Sequence, residues 1–182
     1  MKIFYVHHAL REKSNIPNQK DDIVKTYEKD AKLVSKLFLL ATKNGFNIKA
    51  VYTSPYLRCK KTAELVNQYI KVPVIEDERL NEFASERQAK KYGLPLSETE
   101  SWTNCQARIM SCLKDIVEKY DDTDAVICVT SGVNIAAFIN LAYQIKPSEQ
   151  VPFLLVPSCS PIGFEIKKES FNYLNPKNKT ST

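Results

Sequence analysis

The chain reads as an α/β protein. The expected architecture is a three-layer sandwich, a mostly parallel sheet with an antiparallel edge strand, flanked by helices on both faces. Three observations predict it. Residues 125–129, Ala-Val-Ile-Cys-Val, are an unbroken apolar run of strand length, the pattern of a strand buried on both faces of a parallel sheet. Strand-like runs alternate with segments of helical periodicity along most of the chain. Three of those runs stop at a turn or a helix start, near His8, Ser54 and Ser131. Right-handed crossovers would bring those three ends to one edge of one sheet, the place where ligands bind in open α/β sheets.

The elements follow in order. Ile3 to Val6 is an apolar, β-rich run that ends at His7 and His8, the only two histidines of the chain. Residues 11–25 are polar and contain Pro17, a loop pattern. Over residues 27–41, Tyr27, Ala31, Val34, Phe38 and Ala41 recur at helical spacing, and Asn44-Gly45 provides the stop. Residues 48–53 form a strand ending in Thr53-Ser54-Pro55. There Ser54 reads as an N-cap and Pro55 as the first position of a helix over 55–70. Arg58 falls in that helix's first turn, where backbone N–H groups and the dipole attract anions.

A short strand is expected at 72–75, then an acidic loop carrying Glu82. Residues 87–96, with Gly93 and Pro95, read as a polar lid. A helix runs from about Trp102 to Tyr120, with Ala107, Met110, Leu113 and Val117 on one face. After the 125–129 strand, a second apolar helix covers 133–143. Residues 153–156 and 162–166 read as a closing hairpin, with Ser158-Cys159-Ser160-Pro161 between them. One domain over residues 1–170 and a polar tail over 171–182 is the expected organisation.

Composition narrows the function classes. Of 182 residues, 43% are hydrophobic and 26% charged, ordinary for a globular protein. The net charge of +5 comes from scattered Lys and Arg, which suits an anionic ligand and gives no nucleic-acid patch. No apolar run approaches the ~18–20 residues that span a bilayer, and no secretory leader pattern opens the chain. Five irregularly spaced cysteines fit reduced thiols, and a cytoplasmic protein is the expectation. No CxxC and no His/Asp/Glu cluster suggests a metal, and no cofactor is expected. Four glycines, with no P-loop and no GxGxxG, leave nucleotide cradles unsupported. The Ser131 region has Val129 and Val133 where a nucleophile elbow needs glycines.

Several segments together resemble the histidine phosphatase family, also called phosphoglycerate-mutase-like. They are His7-His8-Ala9 at the first strand end, Tyr52-Thr53-Ser54-Pro55-Tyr56-Leu57-Arg58-Cys59-Lys60-Lys61-Thr62-Ala63, and Leu80-Asn81-Glu82. Glu100-Ser101-Trp102 with Arg108 follows, then Val129-Thr130-Ser131-Gly132-Val133. The resemblance covers residues 1 to about 166, in the family's order. It implies phosphoryl transfer through a phosphohistidine. His8 stands at the nucleophile, Glu82 at the proton donor, and Arg58 at the clamp on the phosphoryl group. It also implies a small phosphorylated metabolite or phosphate as partner, and the short segment between Glu82 and Trp102 suits a compact phosphatase.

Two positions depart from the family pattern. His7 stands where an arginine is usual, and Ser131 where a second histidine is usual; both remain candidate substrate-binding residues. Arg11 is a candidate to restore some of the missing positive charge. Two functions follow: a weak phosphomonoesterase, or a catalytically inactive relative that binds a phosphate ligand or regulates.

Overall fold

A computed structural model describes residues 1–10, 28–92, 96–143, 156–168 and 171. Among them, strand β1 covers Lys2–His7, helix α1 Glu28–Lys43, β2 Asn47–Thr53, α2 Leu57–Asn67 and β3 Val74–Glu76. A 3-10 turn at Glu78–Leu80 leads to α3, Glu86–Tyr92, and a second one at Leu96–Glu98 precedes α4, Trp102–Lys119. Strand β4 covers Asp124–Thr130, α5 Gly132–Ala142 and β5 Pro161–Glu165.

The five strands form one sheet in the order β3-β2-β4-β1-β5. Three neighbouring pairs are parallel, and β5 runs antiparallel to β1 at the edge. All seven residues of β4 are buried, as the unbroken apolar run requires of a central parallel strand. Alternate residues of β4 feed two separate cores. Val126 and Cys128 pack with Ile109, Leu113 and Ile116 of α4 and Ile135 and Phe138 of α5. Ala125, Ile127 and Val129 pack with Val34 and Phe38 of α1 and Cys59, Ala63 and Val66 of α2. The sheet is therefore the middle of three layers, as the sequence predicts. Each buried aliphatic side chain of this kind contributes roughly 1.5–3 kcal/mol.

Local chemistry explains where the elements stop. Helix α1 ends in a Schellman motif: Phe46 N–H bonds to Ala41 O and Gly45 N–H to Thr42 O, with Gly45 at φ +91°. Helix α4 is capped by Ser101, whose side chain accepts from Asn104 N–H.

Three expectations are corrected. Ser54 does not cap α2, which starts at Leu57 with Tyr56 in the cap position, so Pro55 lies before the helix. The Ser54 hydroxyl instead donates to Asn81 Oδ1 at 2.7 Å and accepts from Tyr56 N–H at 3.3 Å. Helix α2 stops at Asn67, because the Asn67 side chain bonds both the N–H and the carbonyl of Val72 and closes a turn. That turn also delays β3 to Val74. Within the lid expected over residues 87–96, Glu86–Tyr92 is helical, and residues 93–95 lie outside the described residues. Of the expected closing hairpin, Val156 lies outside any strand, and β5 pairs with β1 on one side. Residues 153–155 lie outside the described residues.

Candidate active site

The carboxyl ends of β1, β2 and β4 lie side by side. His7 is in register with Thr130, and Thr53 with Val129. The backbone pairing continues past the strands, with His8 N–H bonded to Thr130 O at 3.0 Å and Ser54 N–H to Val129 O at 3.1 Å. The three strand ends singled out in the sequence thus form one edge, with α2 and α5 starting there.

His8 is buried at this edge. Its Nδ1 lies 2.7 Å from the carbonyl oxygen of Ala9. A carbonyl only accepts, so Nδ1 carries the ring proton and the lone pair of the neutral ring is on Nε2. Arg58 Nε donates to that Nε2 at 3.2 Å. The fully buried Arg58 also donates from Nη2 to Glu82 Oε2 in an ion pair, and its guanidinium lies 4.7 Å from the centre of the Tyr56 ring. The Glu82 side chain is 21% exposed, so this chain of groups runs from the buried imidazole toward solvent. Thr62 fastens the loop after β1 to α2: Ala9 N–H bonds its hydroxyl at 2.9 Å, and that hydroxyl donates to Arg58 O at 2.7 Å.

His7 has a different environment. Its Nδ1 donates to Val156 O at 2.6 Å, and its ring packs 4.6 Å from that of His8, edge to face. The ring also rests on Gly132, where a Cβ would sit 3.1 Å from His7 Cε1. Burial holds the His7 imidazole below its ordinary 6.5. The Val156 carbonyl and the Glu82 charge oppose this, while the Arg58 charge adds to it. At neutral pH His7 is therefore an uncharged ring. Ser131 is buried and caps α5, its side chain accepting from Asn134 N–H. Arg11 lies outside the described residues.

The cysteines offer no competing nucleophile. Burial pushes the Cys59 and Cys105 thiols up to about 12 and Cys159 up to about 11. Among the described residues, no group of three or more His, Cys, Asp or Glu is placed to hold a metal ion, and no helix is long and apolar enough to cross a membrane.

Sequence reasoning quoted Thr130, Glu100 and Arg108 within the motif segments, but missed that they hold the Glu82 loop and missed Asn134 altogether. Thr130 donates to Leu80 O at 2.6 Å, and Arg108 donates to Arg79 O at 2.5 Å while paired with Glu100. Asn134 contacts the same loop on both sides of Glu82. The signal available was Asn134 itself, one of two polar amides, with Asn140, inside a mostly apolar helix.

The fold and this edge define an α/β protein that gathers a histidine, an arginine and a carboxylate where parallel strands end. The chain belongs to the histidine phosphatase superfamily, branch 1, whose family model matches residues 39–87 and 83–178. A comparison with curated proteins finds no match. Solved structures share the fold. Bacillus stearothermophilus YhfR superposes with a TM-score of 0.70 at 18% identity, over 92% of each chain. A phosphoserine phosphatase of Entamoeba histolytica, in complex with 3-phosphoglyceric acid, gives 0.68 at 17% identity, over 90% of this chain and 89% of that one. The ecdysone phosphate phosphatase of Bombix mori, in complex with tungstate, gives 0.64 at 18% identity, over 89% and 88%.

Proposed function

We propose that the chain is a phosphomonoesterase that works through a phosphohistidine at His8, at a rate lowered by the residues at positions 7 and 131. The observation that carries this reading is the pairing of His8 Nε2, its lone pair set by the Nδ1–Ala9 bond, with an arginine that also grips Glu82. In the first step Nε2 attacks phosphorus in line and forms the N–P bond. The ester P–O bond breaks, and protonated Glu82 gives its proton to the leaving oxygen. In the second step the Glu82 carboxylate takes a proton from water, the water oxygen bonds to phosphorus, and the N–P bond breaks. Arg58 turns its fork of N–H donors to the equatorial oxygens. The substrate class is a small phosphorylated metabolite. A single domain over residues 1–170 with a polar tail, in the cytoplasm, completes the reading.

The rate is low on this account because two charges are missing. His7 is neutral at pH 7, and Ser131 contributes a hydroxyl already used as a helix cap. Removing one donor to a developing charge typically costs ~10²–10³ in rate, and residues acting as a unit need not lose additively. The same observation favours a second reading, a catalytically inactive relative that binds a phosphate ligand.

Turnover of p-nitrophenyl phosphate by wild type, His8→Ala and the double variant His7→Arg/Ser131→His decides between them. The phosphatase reading expects His8-dependent activity in wild type and a rise of orders of magnitude in the double variant. Activity confined to the double variant selects the binder. Equal rates in wild type and His8→Ala exclude the enzyme.

A further inference from the structure

Asn134 lies in the first turn of α5, and its side chain faces the loop that carries Glu82. It is 1% exposed. Its amide nitrogen lies 3.0 Å from Leu80 O, 2.6 Å from Asn81 O and 3.0 Å from Thr130 Oγ1. Its amide oxygen accepts from Phe83 N–H at 3.1 Å. One side chain therefore bonds the backbone of both residues before Glu82 and of the residue directly after it. The two carbonyls demand donors and the N–H demands an acceptor, which fixes the orientation of the amide.

These contacts matter because of what the loop lacks. The Glu82 loop joins a 3-10 turn to α3, and the backbone groups at Leu80, Asn81 and Phe83 are not paired in a sheet ladder. Asn134 supplies those partners from the helix that begins at the same sheet edge. Thr130 adds a second tie, donating to Leu80 O from the end of β4. The carboxylate is thus referenced to β4 and α5, the same frame that holds His8 through Thr130 O.

We propose that Asn134 is the positioning residue of Glu82: it holds the carboxyl at the distance from His8 that proton transfer to the leaving oxygen requires. The assignment rests on the reading of Glu82 as proton donor. It makes a prediction that a purely structural role does not. In the phosphorylation step, which kcat/KM reports, a misplaced general acid slows esters whose leaving oxygen needs the proton and leaves esters with an already stable leaving group almost untouched.

The experiment compares wild type, Asn134→Leu and Asn134→Asp on phenyl phosphate and on 2,4-dinitrophenyl phosphate. Hydrogen exchange at the Phe83 amide is followed beside them. Asn134→Leu is expected to lose about 10²-fold in kcat/KM on phenyl phosphate and less than about threefold on the dinitrophenyl ester. The Phe83 amide should exchange faster while amides of β4 keep their protection. Asn134→Asp turns a carboxylate toward the Leu80 and Asn81 carbonyls. Its activity relative to wild type should recover as pH falls and the new acid regains an O–H donor.

With an active wild type, equal losses in kcat/KM on both esters, or unchanged Phe83 exchange in Asn134→Leu, would overturn the assignment. A wild type inert toward both esters would overturn the phosphatase reading, and this assignment with it. If Asn134→Leu does not fold, the pH behaviour of Asn134→Asp decides: a ratio to wild type that does not change with pH overturns the proposal.

Discussion

Arg58 joins His8 to Glu82: its Nε donates to His8 Nε2 at 3.2 Å, and its Nη2 pairs with Glu82 Oε2. The same cation thereby orients the lone pair of the proposed nucleophile and neutralises the proposed proton donor. On the proposed mechanism an incoming phosphoryl group competes for this arginine, which would then both organise the resting site and supply positive charge to the reaction.

Arg58→Lys tests that double role. A lysine has one ammonium in place of a planar fork and cannot reach His8 and Glu82 with the same geometry. Phosphomonoesterase activity should fall by about 10²–10³, and inorganic phosphate should bind more weakly by calorimetry. Unchanged activity would remove Arg58 from the mechanism.

His7 makes stability depend on pH. Burial holds its imidazole below the ordinary 6.5, against the opposing pull of Glu82 and the Val156 carbonyl and with the help of Arg58. As pH falls through the unfolded value near 6.5, the unfolded chain takes up the proton first. The contribution of neutral His7 is therefore complete above that pH and is lost below it. The stability advantage of wild type over His7→Gln should shrink as pH falls from 7.5 to 5, read from thermal unfolding. A gap that stays constant would contradict the buried neutral ring.

How much of this was legible in the sequence depends on how local the cause is. The sheet edge was legible because three apolar runs end abruptly, and register then aligns them. The Gly45 stop was legible for the same reason, since both its bonds lie within four residues of it. The start of α2 was not. The Ser54 hydroxyl bonds Asn81, far along the chain, and no local pattern shows that its capping capacity is committed elsewhere. The partner of β5 was hidden in the same way, because it is the first strand of the chain. At the candidate site, the residue types came from the motif, but the neutral state of His7 and the grip of Asn134 on the Glu82 loop exist only in three dimensions.

Gly132 is where packing and the site meet. A Cβ there would lie 3.1 Å from His7 Cε1 and 3.3 Å from His7 Nδ1, the nitrogen already tied to Val156 O. Gly132→Ala gains up to ~1 kcal/mol in helix propensity, but crowding in a packed site costs roughly 1–3 kcal/mol. A net loss of stability is expected in urea unfolding, together with a shifted His7 ring resonance. A more stable variant with an unchanged resonance would show that the ring moves without cost.

The most direct test of the central claim is to trap the phosphorylated enzyme. The protein is mixed with a 32P-labelled phosphomonoester, quenched in alkali and digested. The account predicts an acid-labile, alkali-stable label on the peptide containing His8 in wild type and in His7→Ala, and none in His8→Ala. Turnover by wild type with no label at His8, or a label carried by His7, would contradict it.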